Sequence, residues 1–587
     1  MKPKIAYLNS CLLIMASLLL GTIKTEAQQK KPAQPNFIVI VADDMGFSDP
    51  GCFGGDIHTP NIDRLATQGV RYTNFYVAPT CSPTRSMLLS GIDNHLVGMG
   101  TMYEYMAPNH EDEPGYEGIL TTQVPTIAEV LQANGYHTYM AGKWHLGKDK
   151  EHIPAARGFE RSFSMLSGAG SYFSMSGPSE HLTPNDYNED GNRLDKLPKG
   201  YYATTTFTDK IIEYIESNKE DGKPFFAYLA HQAPHDPLMV PNSYLRKYKG
   251  MFDKGWDALR DERLAKMKEM GIMSNEAVLG ERLWYVPGFD KLRLLPQVVS
   301  ARKMEIYAAV LDYMDMEIGR LMKYLDDNNL RDNTYIVFFS DNGPDVSNKA
   351  DSYKNKPSTN EAAWMATTYK HGFENWGRAE SFTAYGPSWA QVSAAPFFGF
   401  KYTTYEGGIR SPLIVVSPDH KNAGQVNNQA LMQVKDVAPT FLELAGIAQP
   451  TTHHGNPVIP MQGKSWAQVI DGNAGSPRGE NDYVAVELWN GKSLRKGDWK
   501  IVNVPEPIGT GAWQLFNLQA DPGERKDLAR TNPDKLKELL ADWKDYVTTN
   551  HVVAPNRTIY DGMTEALPPR PPVYSPNFSR DAERQDQ

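Results

Sequence analysis

Short, unbroken apolar runs recur along the chain, and they restrict it to folds that cover a β-sheet on both faces. Phe37-Ile38-Val39-Ile40-Val41, Pro224 to Ala230 and Tyr335-Ile336-Val337-Phe338-Phe339 carry no alternating polar positions. Strands of that kind are buried from above and below, as in helix-covered parallel sheets. The segments between them read as further strands and helices. Thr59-Pro60 offers a capping hydroxyl and a proline for the first helical position, and Gly69 a stop. Val70 to Val77 reads as a strand. Pro125 to Asn134 reads as a helix closed by Gly135, followed by a strand through Tyr139-Met140-Ala141. An amphipathic helix is expected from Met304 to Leu325, a strand from Pro412 to Val416 and a helix from Val434 to Ala445. The alternation predicts an α/β fold: a large mixed, mostly parallel sheet covered by helices.

With 587 residues the chain exceeds one ordinary core, so a large domain plus a smaller one is expected. The large domain is expected over 36–448. Beyond it, Tyr483 to Leu488, Leu494 to Val502 and Trp513 to Leu518 read as antiparallel strands, and Pro533 to Val552 as a helix. These predict a small C-terminal α+β domain over 449–552. The proline-rich tail, 553–587, is expected to cross the surface without regular structure. At the other end, Lys2 and Lys4, the apolar run Cys11 to Leu20 and Thr25-Glu26-Ala27 read as a signal peptide over 1–27. The run is too short to cross a bilayer, and Cys11 has no small-residue lipid-attachment motif before it. An exported protein, periplasmic or secreted and without a membrane anchor, is therefore expected.

The formal net charge of −10 argues against nucleic acid as a partner, and an anionic substrate would have to be drawn by a local group of cations. Such a group is visible just past the apolar strands, at the sheet edge where open α/β folds bind ligands. Asp43-Asp44 follow the first strand, Lys143 and His145 the third, His235 the run ending at Ala230, and Asp341-Asn342 the run ending at Phe339. Asp43, Asp44, Asp341 and Asn342 offer only hard oxygen donors, which suits calcium or magnesium better than zinc. Either Asp pair alone reads equally as a turn or helix cap, and Lys143 and His145 alone as surface residues.

The stretch Thr80-Cys81-Ser82-Pro83-Thr84-Arg85-Ser86-Met87-Leu88-Leu89-Ser90-Gly91 is the most specific. Pro83 suits a first helical turn, which places Cys81 at a helix N-terminus where free N–H groups favour anions. Arg85 falls one turn on, with a fork able to bind a tetrahedral oxyanion or steady an anionic nucleophile. A buried structural cysteine, or a bridge from Cys52 to Cys81, is the plainer alternative.

Cys81-Ser82-Pro83-Thr84-Arg85 with Ser90-Gly91 resembles the sulfatase signature, in which a maturation enzyme oxidises the cysteine to formylglycine. The resemblance extends over nearly all of the mature chain. Val41-Ala42-Asp43-Asp44-Met45-Gly46 and Ser340-Asp341-Asn342-Gly343 resemble the metal motifs. Gly142-Lys143-Trp144-His145, Ala233-Pro234-His235-Asp236-Pro237 and Lys401 before Glu406-Gly407-Gly408-Ile409-Arg410-Ser411-Pro412 resemble the remaining site motifs. Gly91-Ile92-Asp93-Asn94-His95, Tyr385 to Gln391 and Asp521-Pro522-Gly523-Glu524 extend the likeness to soluble bacterial arylsulfatases.

The resemblance implies an alkaline-phosphatase-like fold and an arylsulfatase that cleaves a small aryl or carbohydrate sulfate ester. It implies a formylglycine at 81, hydrated to a geminal diol, and Ca2+, or Mg2+, held by Asp43, Asp44, Asp341, Asn342 and residue 81. One diol hydroxyl attacks sulfur, Lys143, His235 and Lys401 hold the sulfate, and His145 takes a proton from the second hydroxyl. Arg85 orients the formylglycine, and either His235 or Lys401 protonates the leaving oxygen. Two rivals share the scaffold: a phosphonate monoester or phosphodiester hydrolase, and a non-catalytic binder of sulfated glycans. Aromatics between Tyr369 and Tyr405 (Phe373, Trp376, Phe382, Tyr385, Trp389, Phe397, Phe398, Phe400) either wall a substrate pocket or pack a core. His453-His454, in a loop with glycine and proline, are expected to be exposed.

Overall fold

The computed structural model describes residues 34–177, 179–347 and 360–568; the signal peptide expected over 1–27 lies outside them. The apolar runs become β1 (Asn36–Ala42), β2 (Val70–Tyr76), β3 (His137–Lys143), β4 (Arg161–Met165), β5 (Tyr187–Glu189), β6 (Asn192–Arg193), β7 (Phe225–Ala230), β8 (Thr334–Ser340), β9 (Arg410–Val416), β10 (Val426–Asn427) and β11 (Met432–Gln433). They form one sheet in the order β10-β2-β9-β8-β1-β7-β3-β4-β5-β6, with β11 beside β2. The central strands are parallel, with Val41 opposite Ala230 and Phe339, and Gly142 opposite Ala230. Because these strands end level with one another, the polar residues after β1, β3, β7 and β8 emerge at one edge.

Every residue of β1 is buried, as its lack of alternation requires. Its odd-numbered side chains pack with Phe226, Tyr228, Val337 and Phe441 on one face, and its even-numbered ones with Ala227, Ile336 and Phe338 on the other. Among the described residues no helix is long and apolar enough to cross a membrane.

β9 runs antiparallel to both β8 and β2. That reversal sends the chain into β9 from the carboxyl edge and so delivers Lys401 there, whereas an apolar run alone carries no direction. Four other expectations change. The Thr59 hydroxyl does not cap the helix Pro60–Gln68; it accepts from the Gly51 N–H at 2.8 Å and donates to Asp63 at 3.2 Å. The helix expected from Met304 spans Leu294–Asp327, and its first turns escaped an amphipathic reading because Leu294 and Leu295 are exposed. Val434–Asp436 is a 3-10 turn before the helix Val437–Ala445. The single strand expected over Leu494 to Val502 is a hairpin.

A hairpin formed by β12 (Thr452–His453) and β13 (Asn456–Pro457) precedes a four-stranded antiparallel sheet. That sheet comprises β14 (Val484–Leu488), β15 (Gly491–Lys496), β16 (Trp499–Asn503) and β17 (Gln514–Asn517). The left-handed Gly497 turns β15 into β16. The helix Pro533–Thr549 covers this sheet through Leu539, Trp543 and Tyr546 against Ala485, Leu494, Ile501 and Leu515. The tail is not wholly irregular: Thr558 caps a helix over Ile559–Ala566, and the Tyr560 hydroxyl donates to the Tyr402 carbonyl at 2.6 Å.

Candidate active site

Cys81 opens the helix Cys81–Ser90, which the left-handed Gly91 closes by donating its N–H to the Met87 carbonyl at 2.9 Å. The Cys81 thiol is buried and donates to Asp43 Oδ1 at 3.5 Å. Cys52 and Cys81 are both free, so the bridge between them is not formed. Burial pushes the Cys81 thiol well up, against the pull of Lys143 and Lys401. A thiol so held has little thiolate at neutral pH.

The carboxylates lie where the strand register carries them. Lys143 Nζ donates to Asp43 Oδ2 at 2.6 Å, and Lys401 Nζ lies 2.8 Å from Asp44 Oδ1 and donates to Asp44 Oδ2 at 2.9 Å. Asn342 Nδ2 donates to Asp44 Oδ1 at 2.6 Å, and the Asp44 N–H donates to Asp341 Oδ1 at 3.3 Å. Asp43, Asp341, Asn342 and Lys143 are fully buried. Burial alone would raise Asp43, but Lys143, His235 and Arg85 hold it well below the usual carboxylate range. Burial and the neighbouring Asp43 charge push Asp341 up to about 6.

Arg85 does not present an open anion site. Its Nε and Nη2 donate to Asp341 Oδ2 at 3.0 and 2.7 Å, and its Nη1 donates to the Lys143 carbonyl at 2.9 Å. The fork thus braces a carboxylate and the end of β3 from beneath residue 81.

His235 and Lys401 meet: Nε2 and Nζ are 3.2 Å apart, and His235 Nε2 lies 3.4 Å from Asp44 Oδ2. His235 Nδ1 donates to the Asp236 carbonyl at 2.6 Å. Burial lowers His235, but Asp44 and Asp43 together raise the imidazole above its ordinary value. Lys401 is held well above its ordinary range by Asp44 despite burial.

His145 has a left-handed backbone (φ 58°), a conformation uncommon among non-glycine residues but one that histidine adopts more readily than most. Its Nδ1 lies 3.3 Å from the Ser82 hydroxyl and its Nε2 3.2 Å from Glu104 Oε1. Gly168 leaves the room: a Cβ there would sit 2.4 Å from the His145 ring. Burial lowers His145 more than Glu104 raises it, so the ring is neutral at pH 7. Glu104 is drawn down to about 2, its own burial outweighed by His145.

Sequence reasoning missed Glu104, which lies in a loop whose only signal is the exposed tyrosines on either side of it. It also missed Asp345, a buried carboxyl pushed up to about 6 by burial despite Lys401. Most of the aromatics between Tyr369 and Tyr405 pack the core: Phe382, Trp389, Phe397 and Phe400 are buried, and only Phe373 among those eight is exposed. Further rings near the site are not among those eight. Tyr103 and Tyr105 are 71% and 40% exposed beside Glu104. Tyr105 meets Trp489 edge-on at 5.2 Å, Trp489 meets Tyr402 at 6.1 Å, and Lys401 Nζ lies 5.5 Å over the Tyr402 ring.

A cavity of about 510 Å³ lies elsewhere, lined by Arg410, Arg478 and Arg495 among others. Arg410 and Arg478 are already paired with Glu406 and Asp436, so the strand-end cluster is the stronger site.

Residues 35–447 match the family described as Sulfatase, and residues 397–550 match the family described as N-sulphoglucosamine sulphohydrolase, C-terminal. An uncharacterized sulfatase of Schizosaccharomyces pombe is 38% identical over 557 residues, covering 91% of this chain and 98% of its own. An arylsulfatase of Klebsiella aerogenes is 36% identical over 467 residues, covering 79% and 97%. The crystal structure of Ps i-CgsB is similar with a TM-score of 0.63 at 23% identity, over 91% of this chain and 98% of that one. BT4656, in complex with its substrate D-glucosamine-2-N,6-O-disulfate, is similar with a TM-score of 0.59 at 22% identity, over 89% and 99%.

Proposed function

The chain belongs to the sulfatase family and hydrolyses sulfate esters, and from that premise we propose that it works through a formylglycine made from Cys81 and a bound calcium ion, with magnesium as the alternative. The observation that carries this reading is the meeting of Cys81, three carboxylates, Asn342 and two lysines at one buried strand edge. The donor set fits a hard cation: Asn342 Oδ1 is buried without a partner, and burial and the Asp43 charge push Asp341 up despite Arg85. Asp43, Asp44, Asp341 and Asn342 would hold the ion, next to residue 81. When bound, the cation supplies charge that polarises sulfate oxygens, and the hydrated formylglycine supplies the nucleophilic hydroxyl.

The chain's own residues do the rest. Lys143 and Lys401 turn from the aspartates to the sulfate oxygens, where fixed positive charge in a dry site stabilises the transition state. His145, neutral and turned toward Ser82 beside residue 81, takes a proton from the second hydroxyl so that sulfate is expelled. His235, its imidazole raised above its ordinary value by Asp44 and Asp43, donates a proton to the leaving oxygen, and Lys401 holds sulfate. Arg85 positions Asp341 and β3. The substrate is an aryl or carbohydrate sulfate monoester whose ring meets Tyr103 and Tyr105. Export fits this reading, and so does modification of Cys81 before folding, since its 1% exposure bars another enzyme from the folded site.

Parallel assays with an aryl sulfate and an aryl phosphonate monoester test the substrate class. The sulfate is expected to win by about 10³-fold in kcat/KM; a preference for the phosphonate or a diester would hand the site to that rival, and no turnover at all would leave the glycan binder.

Glu104 is a positioning residue in this scheme. By accepting from His145 Nε2–H it leaves Nδ1 as the basic nitrogen facing Ser82. Glu104→Gln removes a charge that raises the His145 pKa, so that pKa falls further. The acidic limb of the kcat profile is expected to move to lower pH while the plateau drops about tenfold through the weaker, less fixed base. An unmoved limb would show that Glu104 does not act on the titrating group.

A further inference from the structure

His453 and His454 are not simply exposed, as their loop composition suggests. His454 is exposed, but the His453 side chain is only 13% exposed and faces Glu129 on the helix Ile127–Ala133. The two imidazole centroids are 3.9 Å apart. His453 Nε2 is buried without a hydrogen-bond partner, 3.8 Å from Glu129 Oε1, too far for a bond between them. One ligand atom from each of Glu129, His453 and His454 lies within 4.8 Å of the others. Zinc–nitrogen and zinc–oxygen distances with a tetrahedral angle call for ligand atoms about 3.3 Å apart, so side-chain rotation that draws the three atoms together would complete a coordination shell.

The surroundings favour that use. The Thr126 N–H and Arg157 both donate to Glu129 Oε2, at 2.6 and 3.4 Å, which fixes the carboxylate and leaves Oε1 turned to the imidazoles. His454 and Gly455 make the turn between β12 and β13 with positive φ at both, 49° and 82°. Asparagine or glycine is the ordinary choice at the first of those positions. Histidine is less usual there, and it puts its ring beside His453. Two imidazoles and one carboxylate, with no thiolate, suit zinc or a similar borderline divalent ion.

We propose that Glu129, His453 and His454 form a second metal site, which takes zinc and clips the β12–β13 hairpin to the helix Ile127–Ala133. The site is independent of the strand-end cluster and of its chemistry.

The test uses the full chain kept in excess calcium, so that the strand-end site is filled, and dialysed against zinc. The native protein should retain one more zinc ion per chain than the His453→Ala/His454→Ala variant by elemental analysis, and zinc should raise the Tm of the native protein only. Aryl sulfate turnover should be equal in both. His454→Asn guards against a misfolded double variant, since Asn-Gly suits this turn: without zinc it should be at least as stable as the native chain, yet lose the zinc-dependent rise in Tm. Equal zinc uptake in native and variant proteins, or none in either, overturns the proposal.

Discussion

Cys81→Ala is expected to lower kcat/KM for an aryl sulfate by on the order of 10⁴ to 10⁶, the scale on which loss of a covalent nucleophile is felt. The fold should survive, because the change removes one sulfur from a buried position and costs about 1 kcal/mol of packing. The active native enzyme should carry an aldehyde in place of the thiol in the peptide that contains residue 81. Burial pushes the Cys81 thiol well up, so unmodified cysteine would supply almost no thiolate at neutral pH. Mass spectrometry of that peptide, read against specific activity across preparations of differing modification, separates the two states. Activity that fails to track the aldehyde, or a variant within tenfold of the native enzyme, would end the formylglycine reading.

What the sequence made legible follows from how its signals arise. Unbroken apolar runs mark strands covered on both faces, and in a sheet with a parallel centre the residues just past them share an edge. Asp43, Lys143, His235 and Asp341 could therefore be expected at one sheet edge from strand ends alone, and the level register of β1, β3, β7 and β8 brings them to that edge. The antiparallel course of β9 was not legible, because a run such as Pro412 to Val416 reads alike in either direction. Lys401 was found only through its motif spacing.

Glu104 and the tyrosines beside it were missed for a related reason. They sit in short 3-10 turns held by tertiary contacts, with no periodic pattern to announce them. The role of Arg85 was legible only in part: a helical face put it near residue 81, but its bidentate bond to Asp341 joins elements 256 positions apart. The aromatics before Lys401 could be read from sequence either as pocket walls or as core, and burial assigns most of them to the core. Ring size is no guide to whether a face is open.

The bond between Arg85 and Asp341 decides how the metal expectation has to be tested. Asp341→Ala would do more than delete a ligand, because it would leave the buried Arg85 guanidinium without its main partner, a change that costs about 3–5 kcal/mol. Loss of activity in that variant would not distinguish a missing ion from a damaged fold. Asp341→Asn keeps the volume and one oxygen for Arg85 while removing the charge that attracts a cation. It is expected to weaken calcium binding by on the order of 10²-fold and lower kcat by about 10³-fold or more. The Tm measured without metal should change little, since removing one negative charge also relieves the crowding that pushes Asp341 up to about 6 beside Asp43. The calcium-dependent rise in Tm should shrink sharply. Raising calcium should restore part of the turnover, which a purely structural lesion would not allow. Full activity in native protein stripped of divalent ions, or an Asp341→Asn variant with native calcium affinity, would remove the cation from the mechanism and leave Lys143, Lys401 and His235 to meet the charge on the sulfate.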